Sequence, residues 1–201
     1  VYIPKINKVE DRGEILSFMK RFSFATIITS KNNYPVATHL PFVVEERRDD
    51  IFLISHFAKA NPHWEDIEEN EVLVIFTEPH AYISTDNYEK ETNVPTWNYM
   101  AIHTYGKGKI VSDDKKYDAV KAMILSFDSS YQKQWENLAI DYKEKMMNGI
   151  VAFEIEVTNI EAKFKLSQNR SIREKQNIIQ SLSNSNNTSE NLIADYMRNQ
   201  K

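Results

Sequence analysis

Apolar and polar residues recur along the chain with two different periods, and the changes from one to the other outline its elements. Asp11 and Glu14 stand at capping-box spacing ahead of Ile15, Leu16, Phe18, Met19 and Phe22, which predicts an amphipathic helix over 11–22. Short Thr-, Val-, Ile- and Phe-rich runs follow at 24–29, 36–44 and 51–56. They are separated by Lys31-Asn32-Asn33-Tyr34-Pro35 and by the charged stretch 45–50, the punctuation of hairpins. Pro41 has no N–H for a ladder, so its strand belongs at a sheet edge or a bulge. A helix opens at Asn61-Pro62 and runs to Glu69, and strands are expected at 72–77, 81–84 and 96–111.

The second half returns to the helical period. Tyr117, Val120, Ile124 and Phe127 form one stripe of a helix over 113–129, and a helix over 138–148 stops at Gly149. Residues 150–157 alternate as a half-buried strand. Ser171 and Glu174 form a second capping box, for a helix ending near Leu182, and the polar stretch 183–188 precedes a short helix over 189–198. Six or more hairpin-connected strands with flanking helices predict an α+β fold built on an antiparallel β-barrel. One domain over 1–183 is expected, with 184–201 as a polar linker and terminal helix.

Composition narrows the function. Hydrophobic residues make up 41% and charged residues 27% of 201, enough apolar material for a core, so wholesale disorder is excluded. The chain has no cysteine, which removes thiolate nucleophiles, iron–sulfur clusters and Cys-type zinc sites. A net charge of −4 argues against coating nucleic acid by bulk electrostatics. No apolar run approaches the ~18 to 20 residues that span a bilayer, and the first residues lack a basic segment ahead of an apolar one. A soluble, cytoplasmic protein is expected. Gly106 and Gly108 lie in a strand and do not open a dinucleotide fingerprint, and a Walker-type phosphate loop is absent.

Two constellations carry candidate chemistry. Residues 55–64, Ser-His-Phe-Ala-Lys-Ala-Asn-Pro-His-Trp, run from a strand end through a loop to a helix start, where unpaired N–H groups, Lys59 and His56 could hold a phosphate. The alternative is that Asn61-Pro62 only caps a helix and Lys59 is solvated. Residues 94–103 form a strand rich in aromatic and hydrogen-bonding side chains, which either faces a flat heteroaromatic ring or seats a large Trp in the core. The histidines 39, 56, 63, 80 and 103 show no metal-ligand spacing, and no Gly-x-Ser-x-Gly elbow supports a nucleophile, so neither a metal nor a catalytic residue is assigned.

Several longer strings occur in a fixed order: YIPK at 2–5, ATHLPF at 37–42, HFAKANPHW at 56–64, VLVIFTEPHAYIS at 72–84, VPTWNY at 94–99, IHTYG at 102–106 and KFKLSQNRS at 163–171. Through them the chain resembles the PaiB family, FMN-binding negative transcriptional regulators of bacteria. The resemblance implies the FMN-binding split barrel, a homodimer with FMN at the subunit interface. It also implies a phosphate site at His56, Lys59 and Asn61, and an isoalloxazine lined by Thr38, His39 and Leu40. Trp97 and Asn98 would approach that ring, with Lys165, Gln168 and Asn169 closing the pocket. The chain departs from the family's pattern at Glu78-Pro79-His80 and at 84–88, where relatives carry Gly-Pro-His and a Ser-Pro-x-Trp-Tyr loop.

Three functions fit these residues. The resemblance implies a repressor that binds promoter DNA, for which Lys163, Lys165, Arg170, Arg173 and Lys175 form the one basic patch, with a solvated strand end as the plainer reading. A flavin-dependent oxidoreductase or a haem-degrading split-barrel enzyme is the alternative, its chemistry residing in the cofactor. A flavin store or redox sensor acting on a protein partner is the third.

Overall fold

The computed structural model describes residues 1–200. Seven strands, β1 (Phe24–Lys31), β2 (Tyr34–Pro41), β3 (Val43–Arg47), β4 (Asp50–Ala58), β5 (Glu71–Ile83), β6 (Thr96–Ile110) and β7 (Ile150–Lys165), form one sheet in the order β2-β1-β5-β6-β7-β4-β3. The pairings of β1 with β2 and β5, and of β4 with β3 and β7, are antiparallel. Six helices accompany the sheet: α1 (Arg12–Arg21), α2 (Asp113–Phe127), α3 (Gln132–Asn137), α4 (Ile140–Asn148), α5 (Ile172–Ser183) and α6 (Thr188–Arg198). The α+β class expected from the pattern is the observed one.

Local rules explain most boundaries. Asp11 Oδ1 accepts the Glu14 N–H at 2.8 Å, as the expected capping box requires, and Ser171 and Glu174 make the reciprocal box at α5. Asn32 and Asn33, both at positive φ, close a two-residue hairpin loop between Lys31 and Tyr34, a turn whose twist suits paired strands. Pro41 lies on β2, an edge strand as its missing N–H requires.

Four expectations need correction. The segment 36–44 is two strands, because Phe42 is buried and its N–H leaves the ladder for Ser23 O, sending β2 and β3 to opposite edges. The helix expected over 61–69 is a single 3₁₀ turn, Pro62–Asp66. The pair 72–77 and 81–84 is one strand, β5, and β7 runs eight residues beyond 157. Beyond these four, α3 stands where no element was expected, because its six residues bury only Trp135 and give no stripe to read from the period.

The chain divides into two compact units. The central unit, Leu16–Phe76 with His103–Ile160, has a core in which Phe153 lies between Phe57, 4.7 Å away and stacked, and Phe42, 6.2 Å away and edge-on. Phe18, Met19, Ile27, Leu53 and Phe76 are also buried there. Gly106 and Gly108 permit close backbone approach in this unit. A Cβ on Gly106 would lie 2.1 Å from Glu156 O, and one on Gly108 would lie 2.8 Å from Ile67 O.

The terminal unit, Val1–Ile15 with Thr77–Ile102 and Glu161–Lys201, buries Ile83, Met100, Phe164, Leu166, Ile178, Leu182 and Ile193. Here α6 belongs to the packed unit rather than to a free tail: Met197 is buried, and Phe164 meets Tyr196 edge-on at 6.2 Å. The loop 85–93 is held by the segment that follows β7. Arg170 lies 3.7 Å over the Tyr88 ring and donates to Asn93 Oδ1 at 2.8 Å, and Ser171 Oγ donates to Glu89 at 2.9 Å.

Candidate functional site

In the central unit the strand–loop–turn element 55–64 is organised by His63, which is 1% exposed. Its Nδ1 is 2.8 Å from Thr38 Oγ1 and its Nε2 is 3.0 Å from Thr29 Oγ1, and its ring rests 5.2 Å from Phe57. Asn61 Oδ1 accepts the His63 N–H at 3.1 Å, and Asn61 Nδ2 donates to Thr38 Oγ1 at 3.2 Å. One proton assignment serves every contact: Thr38 accepts from Asn61 and donates to Nδ1, and Nε2–H donates to Thr29. The network ties the turn to β1 and β2, and Lys31 reinforces it with a 2.7 Å ion pair to Asp66.

The structure therefore brings Thr38 and Asn61 together, and leaves His56 apart from them. His56 lies on the face of β4 toward α2, its Nδ1 3.2 Å from Met123 Sδ. Lys59 is exposed and makes no direct ion pair among the described residues, though its charge acts through space on Asp113, which is paired with Lys116 at 2.6 Å. Its N–H donates to Gly149 O at 2.8 Å, and its carbonyl accepts the Trp64 indole N–H at 3.1 Å. With Trp64, Lys116 and Val151, Lys59 lines a pocket of about 210 Å³. The first N–H of the 3₁₀ turn is taken by Asn61, so an anion there would depend on the ammonium groups and not on a helix terminus. On β2, His39 is exposed and stacks on Phe24 with centroids 6.5 Å apart and planes at 22°, and Leu40 is half-buried.

A second cavity of about 570 Å³ in the central unit holds none of the residues singled out from sequence. Ile54, Val111 and Ala119 line it beside Lys109, Lys115 and Asp118, and Arg47 reaches Glu154 at 2.7 Å across it.

In the terminal unit Trp97 is 53% exposed, with Tyr82 at 5.6 Å and His80 at 6.0 Å. Asn98 is fully buried instead: Ser167 Oγ donates to its Oδ1 at 3.0 Å, and its Nδ2 points to Met197 Sδ at 3.6 Å. Gln168 staples its own turn, accepting from Leu166 N at 2.8 Å and donating to Phe164 O. Lys165 donates to Thr96 Oγ1, and Asn169 is exposed. Of the five cations in the basic patch, Lys163 and Lys165 are turned inward and Arg170 is bound to Tyr88 and Asn93. Arg173 is exposed and 3.7 Å from Glu89, and Lys175 is half-buried.

Burial holds the imidazoles of His56 and His63 below the ordinary histidine value of 6.5, in His63 against a smaller opposing pull from Asp66. Below that value the unfolded chain takes up protons that the folded chain refuses. Stability is therefore complete above about pH 7 and falls on acidification, by at most ~1.4 kcal/mol per pH unit for each histidine. The urea midpoint should drop between about pH 7.5 and about pH 5.5. A flat midpoint across that range would contradict neutral, buried histidines.

Residues 1–159 match the family described as "Putative FMN-binding domain". The chain is 39% identical over 200 residues to the protease synthase and sporulation protein PAI 2 of Bacillus subtilis, covering 98% of this chain and 96% of that one. It is 28% identical over 207 residues to an uncharacterised protein of Emericella nidulans, covering 82% of each. Among solved structures it is similar in fold to the FAD and haem binding protein from Mycobacterium smegmatis, with a TM-score of 0.62 at 16% identity over 79% of this chain and 73% of that one. The flavocytochrome Anf3 from Azotobacter vinelandii gives 0.63 at 12% identity over 81% and 72%.

Proposed function

The chain belongs to the PaiB family of FMN-binding proteins, and from that premise we propose that it is an FMN-dependent transcriptional regulator acting as a homodimer. The observation that carries the cofactor site is Lys59, an exposed cation in no direct ion pair among the described residues, lining the pocket of about 210 Å³ on the element rigidified by Asn61, Thr38 and His63. In this reading Lys59 holds the FMN phosphate beside the Lys116–Asp113 ion pair, and the β2 segment Thr38, His39 and Leu40 lines the ring, where the flat His39–Phe24 pair offers a stacking surface. When bound, FMN supplies redox chemistry and one phosphate.

Replacing Lys59 with Ala removes a charge-assisted contact of ~1.5 to 3 kcal/mol, about ten- to hundredfold in FMN affinity. Flavin fluorescence titration reads this directly. An unchanged curve would move the phosphate elsewhere.

The regulator reading draws support from the Bacillus relative, whose name places it in protease synthesis and sporulation. At net charge −4, DNA contact needs a local cationic surface, and Arg173 and Lys175 are what the basic patch leaves for it. Binding of the FMN-loaded protein to DNA upstream of its own gene should weaken with salt by a log–log slope of about −0.9 per phosphate contact. Glu at both positions should flatten that slope and leave flavin content unchanged. A wild-type protein that binds no such DNA would sink the regulator role and leave the flavoprotein standing. Light scattering should give about twice 23.5 kDa.

A further inference from the structure

Two lysines of the terminal unit, Lys163 buried and Lys165 half-buried, have no carboxylate partner among the described residues. Lys163 is 7% exposed, yet its ammonium donates only to the Tyr2 carbonyl at 3.1 Å and otherwise meets the rings of Tyr99, at 5.1 Å, and Tyr2, at 5.9 Å. Lys165, two residues along the same face of β7, donates to Thr96 Oγ1. Neither forms an ion pair among the described residues. Both segments that supply the lysines' strand end and the following turn, 163–171, lie beyond the residues matched by the family description.

Burying an ammonium is costly unless opposite charge or several acceptors meet it, and two neighbouring ammoniums raise that cost through mutual repulsion. Burial does hold Lys165 below the ordinary lysine value, with Lys163 adding to the effect and the Tyr99 phenol opposing it. The ring quadrupoles of Tyr2 and Tyr99, one carbonyl and one hydroxyl offset part of that cost, and no anion neutralises either ammonium among the described residues. The arrangement suits a group that brings negative charge and several acceptor lone pairs at once, with tyrosine faces for any attached apolar body.

We propose that Lys163 and Lys165, flanked by Thr96, Tyr99 and Tyr2, form a binding site for a small oxyanion, the carboxylate or phosphate group of an effector separate from the flavin. The assignment differs from a role for Lys165 in closing the flavin pocket, and it makes the terminal unit a receiver of a chemical signal. The two ammonium groups, each with donors left over after its one hydrogen bond, recognise the anion, and the hydroxyl of Thr96 and the phenol of Tyr99 are at hand to orient it.

The test uses the FMN-loaded wild-type protein, so it does not depend on a variant folding. Lysine acylation by an amine-reactive reagent is followed residue by residue by mass spectrometry, with inorganic phosphate or benzoate added at constant ionic strength over chloride. An oxyanion at the site stabilises the charged form of Lys165, so saturating probe should slow its labelling at least tenfold while exposed Lys90 labels unchanged. Calorimetric titration should give one saturable site per chain for at least one probe. Lys165→Met should weaken that binding tenfold or more, and Lys90→Met should not. If neither probe protects Lys165, or Lys165→Met binds as wild type does, the proposal is wrong. Protection by FMN alone, with no further effect of either probe, would return Lys165 to the flavin site and equally overturn it.

Discussion

Gly106→Ala is expected to cost the protein a large share of its stability. The added Cβ would lie 2.1 Å from Glu156 O and 2.8 Å from the Ile155 side chain, and the carbonyl belongs to a neighbouring strand rather than to a flexible side chain. Relief requires β6 and β7 to separate locally, which disturbs ladder hydrogen bonds as well as packing. Overpacking of this kind costs ~1 to 3 kcal/mol and sometimes more, and the backbone clash puts this site at or above the top of that range. Against a total of ~5 to 15 kcal/mol, such a loss is visible in any urea transition. Gly13→Ala is the matched control: on α1 its Cβ meets only Asp11 Oδ1 at 3.3 Å, so the transition should stay or rise slightly. Equal midpoints for Gly106→Ala and wild type would mean that the two strands do not approach as described.

Phe153→Ala should be the most damaging truncation in the core. The ring is fully buried, stacked on Phe57 and edge-on to Phe42, which in turn meets Phe76 edge-on at 6.0 Å. Removing it forfeits the transfer of a buried phenyl group and opens a cavity among residues that cannot all collapse, ~3 to 5 kcal/mol. The effect reaches the candidate site because Phe57 also supports His63. With looser packing around its ring, His63 should be easier to protonate, so the acid loss of stability should shrink in the variant. Denaturation at two pH values measures both effects together. A loss below about 1 kcal/mol would show that the phenyl cluster is not the centre of this core.

How much of this was legible in the sequence depends on whether the cause was local. The capping box at Ser171, the turn at Asn32-Asn33 and the edge position of Pro41 follow from neighbours within a few residues, and the α+β class follows from the two periods. The split of 36–44 at Phe42 was not legible, because an apolar run continues from Leu40 through Val44 and the break is caused by burial and a hydrogen bond to Ser23. The candidate site behaved likewise. Lys59 and Asn61 stood out by residue type and Thr38 through the family resemblance, but His63, which links Asn61 to both Thr29 and Thr38, looked like one more helix-start residue. Its signal lay in the hydroxyls of two strands more than twenty residues upstream, and no pattern along the chain connects them. The sequence was equally silent on the direction of His56, which shares the segment but lies on the face of β4 that points to Met123.

The two-residue turn at Asn32-Asn33 acts as a ruler as well as a connection. It fixes Ile27 opposite Thr38 and Thr29 opposite Val36, and so decides which side chains of β2 face the imidazole. Strand side chains alternate, so one extra residue in the turn would shift the pairing by one and exchange the two faces of β2, turning Thr38 outward and a neighbour such as His39 in. The tip of the hairpin is exposed and would ordinarily count as a place where insertions are harmless. Here loop length is itself a specificity determinant. Variation in this protein should be free in the identity of the residues at 32 and 33, within those that accept positive φ, and nearly forbidden in their number.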